Sequence, residues 1–168
     1  LFWLETDRVE LFDWLNQNTA KDSVVVTAGL TDNLYLPVYT HNNVLISRGF
    51  LSLVPAEEAL ERFLLVYKIE NVSEDRIKNM FSLTESNREL KAKKRFNFDD
   101  CAGHHLYFRR FIGKDYYNCS VPEDQLNLIL GTYETLDNNL SQWQEKYRMD
   151  YWLWGPNEEK WATIKPDQ

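Results

Sequence analysis

Asp99-Asp100-Cys101-Ala102-Gly103-His104-His105 gathers carboxylate, thiol and imidazole groups in one short stretch. Zinc accepts all three ligand types, so Asp99, Cys101, His104 and His105 are the candidate metal ligands of the chain. The paired-Cys and His-x3-His spacings of zinc sites are missing, and adjacent histidines point apart on a strand or diverge by about 100° on a helix. The spacing favours an ordinary polar turn, and no cofactor is expected. A Cys-His nucleophile pair could be drawn from the same residues, but its third partner is recognised by geometry rather than by sequence position. Cys101 and Cys119 are the only cysteines; they either pair in an oxidising compartment or stay as buried thiols, and the second is favoured.

Two further stretches carry usable chemistry. Thr27-Ala28-Gly29-Leu30-Thr31-Asp32-Asn33 is small and polar where a buried strand should end. Ligands of open α/β sheets bind outside the carboxyl ends of the strands, which makes Thr27, Gly29, Thr31 and Asp32 candidate ligand-binding residues, with Ser47 and Arg48 after a second strand. A Gly-x-Gly-x-x-Gly fingerprint is absent, so no nucleotide is implied. In Leu106-Tyr107-Phe108-Arg109-Arg110-Phe111-Ile112-Gly113-Lys114, large rings alternate with cations inside an acidic protein. The segment reads either as a half-buried strand with snorkelling arginines or as a contact surface. In the second case Tyr107, Phe108, Arg109, Arg110 and Phe111 would meet lipid headgroups or a membrane-embedded partner.

The elements that must position these residues alternate between helix and strand. Asp7-Arg8-Val9-Glu10 has the spacing of a capping box, and Val9, Phe12 and Leu15 form the apolar face of a helix to Asn18. Ser23 to Thr27 and Val44 to Ser47 are short runs without polar alternation, as expected for strands covered on both faces. Pro37 predicts irregular chain over Tyr35 to Tyr39. Pro55 opens a helix with Leu60, Phe63, Leu64 and Tyr67 at helical spacing, and Ser73 caps a short helix to Phe81. Ser120-Val121-Pro122-Glu123 opens a helix whose apolar positions continue to Tyr147, about seven turns. Tyr151 to Leu153 is the last strand, and Gly155-Pro156 ends it. The expected fold is one α/β domain over 1–168, a three-layer sandwich with a small, mainly parallel sheet and a helical insertion over 73–147.

A length of 168 residues suits one domain with its own core. The 26 acidic against 19 basic residues give a charge of -7, which repels phosphate backbones and excludes nucleic acid as a natural partner. Six Trp, nine Tyr and nine Phe make the chain rich in aromatics, rings that either fill a core or line a surface meeting sugars, lipid headgroups or protein. No run reaches the roughly 18 to 20 apolar residues of a membrane span. The apolar opening Leu1-Phe2-Trp3-Leu4 is read as a cut inside a longer protein. Three Asn-x-Ser triplets, at Asn71, Asn118 and Asn139, fit the glycosylation sequon and are read as chance matches.

The pieces from Asp7 to Val66, with Leu36-Pro37-Val38-Tyr39-Thr40 between the first two strands, and Tyr147-Arg148-Met149-Asp150-Tyr151-Trp152-Leu153-Trp154-Gly155-Pro156 carry a family likeness. Their order resembles the C-terminal soluble domain of polytopic membrane glycosyltransferases of the GT-C class and their uncharacterised relatives, whose closing phrase runs like "Y.VDYVVVGP.E". Trp152 and Trp154 depart from the aliphatic run of that phrase. The family's catalytic acid lies in an early loop between membrane spans, so the resemblance implies no catalytic residue in this chain and no sugar transfer by it alone. It implies a non-catalytic extracytoplasmic domain that packs on the membrane domain of the same polypeptide or contacts acceptor or glycan. The other class left open is a self-contained enzyme or ligand-binding α/β domain with its pocket at the strand carboxyl ends.

Overall fold

The computed structural model describes residues 5–47, 54–81, 123–155, 158–160 and 162. Among them lie six α-helices and a three-stranded parallel sheet: α1 (Thr6–Asn18), β1 (Val24–Val26), α2 (Leu30–Tyr39), β2 (Asn43–Val44), α3 (Ala56–Ile69), α4 (Glu74–Phe81), α5 (Glu123–Thr135), α6 (Leu140–Lys146) and β3 (Tyr151–Trp152), followed by a 3-10 turn at Glu158–Lys160. The chain is therefore broadly α/β, with helix predominating.

The valine run explains why β1 sits in the centre. Strand order is β2-β1-β3, with Val24 and Val25 opposite Asn43 and Val44, and Val25 and Val26 opposite Tyr151 and Trp152. Successive strand residues point to opposite faces. Val25 accordingly joins Phe12, Leu15 and Leu36 of α1 and α2 in one apolar cluster. Val26 joins the larger cluster built from Leu60, Phe63, Leu64 and Tyr67 of α3, Ile77, Met80 and Phe81 of α4, and Ile129 and Tyr133 of α5.

The three expected strands share one parallel sheet, and both flanking strands are shorter than their sequence signals. Only Asn43–Val44 pairs in β2; Leu45 and Ile46 turn away as a bend and are buried in the larger cluster. In β3 the indole N–H of Trp152 donates to Glu70 Oε1 at 3.1 Å. That bond gives the indole N–H of a half-buried tryptophan the polar partner it needs.

Three local readings are corrected. The capping box at Asp7 does not form: α1 starts at Thr6, and Glu5 stands at the cap without a side-chain bond. Arg8 instead anchors this first turn, donating from Nε to Asp32 Oδ1 at 2.7 Å. Pro37 lies inside α2, although an interior proline costs about 3 kcal/mol. The fully buried Leu36 and the rings of Tyr35 and Phe12 against Tyr39 hold the helix through it. The long helix to Tyr147 is broken between α5 and α6. Asp137 accepts from the Asn139 N–H at 2.9 Å and Asn139 from the Ser141 N–H at 3.1 Å, local bonds of the kind that compete with helix continuation.

The corner between α3 and α4 is also set by residue type. Asn71 has φ 53°, and its N–H and that of Val72 donate to the carbonyls of Lys68 and Tyr67. This is a Schellman ending with asparagine in the left-handed position. Ser73 then caps α4, accepting from the Arg76 N–H at 3.3 Å. Tyr133 of α5 donates its hydroxyl to Val72 O at 2.5 Å. Burial, aided by Glu70 and Glu74, pushes that phenol up to about 12, so it stays a donor throughout the physiological range.

Candidate functional site

The carboxyl end of the sheet is where sequence and structure converge. β1 stops at Val26, and Thr27 is completely buried directly after it. The Thr27 Oγ1 accepts from the Gly29 N–H at 3.0 Å and donates to Glu158 Oε1 at 3.3 Å. The other Glu158 oxygen accepts from the Gly155 N–H at 3.0 Å. One carboxyl group thus ties the end of β1 to the segment leaving β3.

Asp32 and Asn33 come in from the first turn of α2. A Cβ built on Gly29 would sit 2.8 Å from Asp32 Oδ2 and 3.3 Å from Thr27 Oγ1, so only glycine lets these groups approach so closely. The Asn33 amide nitrogen donates to Thr27 O at 2.8 Å and to Gly29 O at 3.0 Å. Its Oδ1, on the same carbon, has no partner among the described residues, at a side chain only 4 % exposed. Buried polar atoms are normally paired, which marks this oxygen as an open acceptor.

Charge at this end is partly cancelled. Arg8 meets Asp32 at 2.7 Å and Glu5 at 3.5 Å. Burial raises the Glu158 carboxyl above its ordinary range and the Asp32 charge raises it further, against the lowering effect of its hydrogen bonds from backbone and Thr27. The result is an end rich in hydrogen-bond acceptors, with neither histidine nor cysteine among Arg8, Thr27, Gly29, Asp32, Asn33 and Glu158.

Of the residues singled out from sequence, Thr27, Gly29 and Asp32 meet here. Thr31 and Ser47 are half-buried, and among the described residues neither hydrogen-bonds to this group. Arg48 lies outside the described residues. So do Tyr107, Phe108, Arg109, Arg110 and Phe111 of the aromatic-cationic stretch, and Asp99, Cys101, His104 and His105 of the metal alternative. Sequence reasoning missed Arg8, Asn33 and Glu158 as members. Asn33 had a signal, since it closes the small and polar stretch Thr27 to Asn33.

A second polar cluster has a structural explanation. Glu61 on α3 accepts from the Lys146 ammonium at 2.5 Å and from the Tyr147 hydroxyl, while Arg62 lies over the Tyr147 ring at 4.8 Å. Burial pushes Glu61 up, but these two donors outweigh it and leave the carboxyl below its ordinary value. The cluster fastens the end of α6 to α3 just before the chain enters β3. At the amino end of the sheet, Asp150 plays a similar part, accepting from the Val24 N–H at 2.8 Å.

No protein-family model, no curated protein and no solved structure matches the chain.

Proposed function

We propose that the chain is a non-catalytic extracytoplasmic domain of a GT-C-like integral membrane protein, and that the carboxyl end of its sheet is where it contacts acceptor or glycan. The observation that carries this reading is the pairing of Val25 and Val26 with Tyr151 and Trp152. It brings together the two distant segments on which the family resemblance rests. The acceptor-rich end formed by Thr27, Asp32, Asn33 and Glu158 favours hydroxyl donors, which sugars supply in number.

On the same reading the sheet is the middle of three layers, with α1 and α2 on one side and α3 to α5 on the other. The assignment of Val25 and Val26 to separate apolar clusters supports this. Packing against the membrane domain would use the α1–α2 face, where Trp14, Val38 and Tyr39 are exposed. Among the described residues no helix is long and apolar enough to cross a membrane, so the spans would be supplied by the rest of the polypeptide.

The test is the coding sequence upstream of Leu1 together with fractionation of the full gene product. Several hydrophobic spans and recovery in the membrane fraction are expected. A soluble upstream region and a product that stays in the supernatant would remove the proposal and favour the self-contained binding domain. The contact end is tested by titrating the 168-residue chain with maltose while following the Gly29, Asn33 and Gly155 amides by NMR. Saturable shifts confined to those amides are the expected result.

A further inference from the structure

We propose that Asn139, in the loop between α5 and α6, carries an N-linked glycan transferred from a lipid-phosphate-linked oligosaccharide. The inference rests on the extracytoplasmic reading, where such transfer takes place, and adds a modification site to it. Asn-x-Ser is the acceptor signal, and the bulk of a glycan restricts it to the surface. The structure separates the three triplets on that ground. Asn71 is exposed, but Val72 is 3 % exposed, its N–H is bound to Tyr67 O, and the Ser73 hydroxyl is engaged with the Arg76 N–H at 3.3 Å. Asn118 lies outside the described residues. Asn139 and Ser141 are both exposed, because the break before Leu140 takes them out of the helix interior in which an unbroken run to Tyr147 would have placed them.

The geometry leaves the right end of the side chain open. Asn139 has extended backbone, with φ -76° and ψ 102°, and its Oδ1 accepts from the Ser141 N–H at 3.1 Å. Among the described residues, neither the Asn139 Nδ2 nor the Ser141 hydroxyl has a partner. A glycan on Nδ2 therefore keeps the bond that starts α6. The segment also yields easily to an enzyme, since none of the seven residues of α6 is buried and the first N–H groups of a helix have no intrahelical bonds to lose. Leu140 and Trp143 pack on the cluster of α3 to α5 and not on that of α1 and α2, so a glycan here stands clear of the face assigned to the membrane domain.

The transfer balances without an oxidant or reductant. Nδ2 attacks the anomeric carbon at the reducing end of the donor oligosaccharide, and the new C–N bond forms as the C–O bond to phosphate breaks. The electron pair of that bond leaves with the lipid phosphate, and one Nδ2 proton passes to a basic group of the transferase. The Ser141 hydroxyl, able both to donate and to accept, is the group two residues on that such an enzyme reads.

Mass spectrometry of peptides from the full gene product, purified from its own cells, reads the site. The peptide spanning Asn139 is expected to carry hexose or N-acetylhexosamine units on that residue. Asn139→Asp and Ser141→Ala should each abolish them, and Ser141→Thr should keep them. Misfolding does not explain either loss, because aspartate caps a helix as well as asparagine and Ser141→Ala keeps the backbone donor; both variants should melt with the parent in the 168-residue chain. An unmodified Asn139, or a glycan that survives Ser141→Ala, overturns the site. Surface labelling of the same cells separates the two failures. A bare Asn139 on a domain open to a membrane-impermeant reagent removes the site alone, and a bare Asn139 on a domain reached only after lysis removes the extracytoplasmic reading with it.

Discussion

Phe63→Ala is expected to cost about 3–5 kcal/mol of folding free energy. The ring is 1 % exposed and packs against two others, tilted at 4.9 Å from Tyr67 and edge-on at 5.7 Å from Phe81. Removing it opens a cavity at the point where α3 and α4 meet, and Tyr67, whose hydroxyl donates to Ala28 O at 2.9 Å, loses a wall. Domains of this size have about 5–15 kcal/mol in total, so the variant should be close to unfolding at elevated temperature. Urea denaturation checks this as a fall in midpoint with little change in slope. Trp14→Ala, at a ring 53 % exposed, is expected to stay within about 0.5 kcal/mol in the same assay. A loss at Trp14 comparable to that at Phe63 would show that the apolar clusters have been assigned to the wrong faces.

Asn33→Asp should be nearly as damaging, although it changes no volume. The amide nitrogen that donates to Thr27 O and Gly29 O becomes an oxygen facing two carbonyls, in a side chain 4 % exposed. An uncompensated buried charge costs about 3–5 kcal/mol at neutral pH. The new carboxyl would have a raised folded value, so stability should recover as pH falls toward the ordinary carboxylate range. Thermal melts at a series of pH values give the answer. A variant as stable as the parent at neutral pH would mean that the Asn33 amide does not brace the β1–α2 turn.

These two residues differ in how far the sequence announced them. Phe63 falls at helical spacing with Leu60, Leu64 and Tyr67, and that periodicity led directly to α3 and its buried face. The run Val24-Val25-Val26 likewise announced a strand covered on both sides, because burial on both faces leaves no polar alternation to read. Asn33, by contrast, looks like any polar residue of a loop. Its importance comes from two carbonyls that reach it only after β1 has ended and α2 has begun. Arg8 and Glu158 are further removed still, since each joins the site across a long stretch of chain and no local pattern links them to Thr27.

The misread elements have the same origin. Pro37 breaks an isolated helix, but tertiary contacts at Leu36 and Tyr39 outweigh its cost. The break before Leu140 was legible in principle, because Asp137-Asn138-Asn139 is a run of residues that bond their own backbone. Apolar spacing from Leu126 to Tyr147 masked it, since spacing can continue across a short turn when both helices pack on the same core.

The claim that the domain lies on the extracytoplasmic side of a membrane is tested most directly by labelling the full gene product in intact cells. Gly131 is exposed on α5, and a Cβ added there meets nothing within 4 Å. Gly131→Cys therefore offers an exposed thiol that meets no neighbour, in a background with Cys101→Ser, Cys119→Ser and any cysteine in the rest of the polypeptide replaced. The account predicts modification by a membrane-impermeant maleimide before lysis, at the level reached after lysis. Modification only after the cells are broken would contradict it.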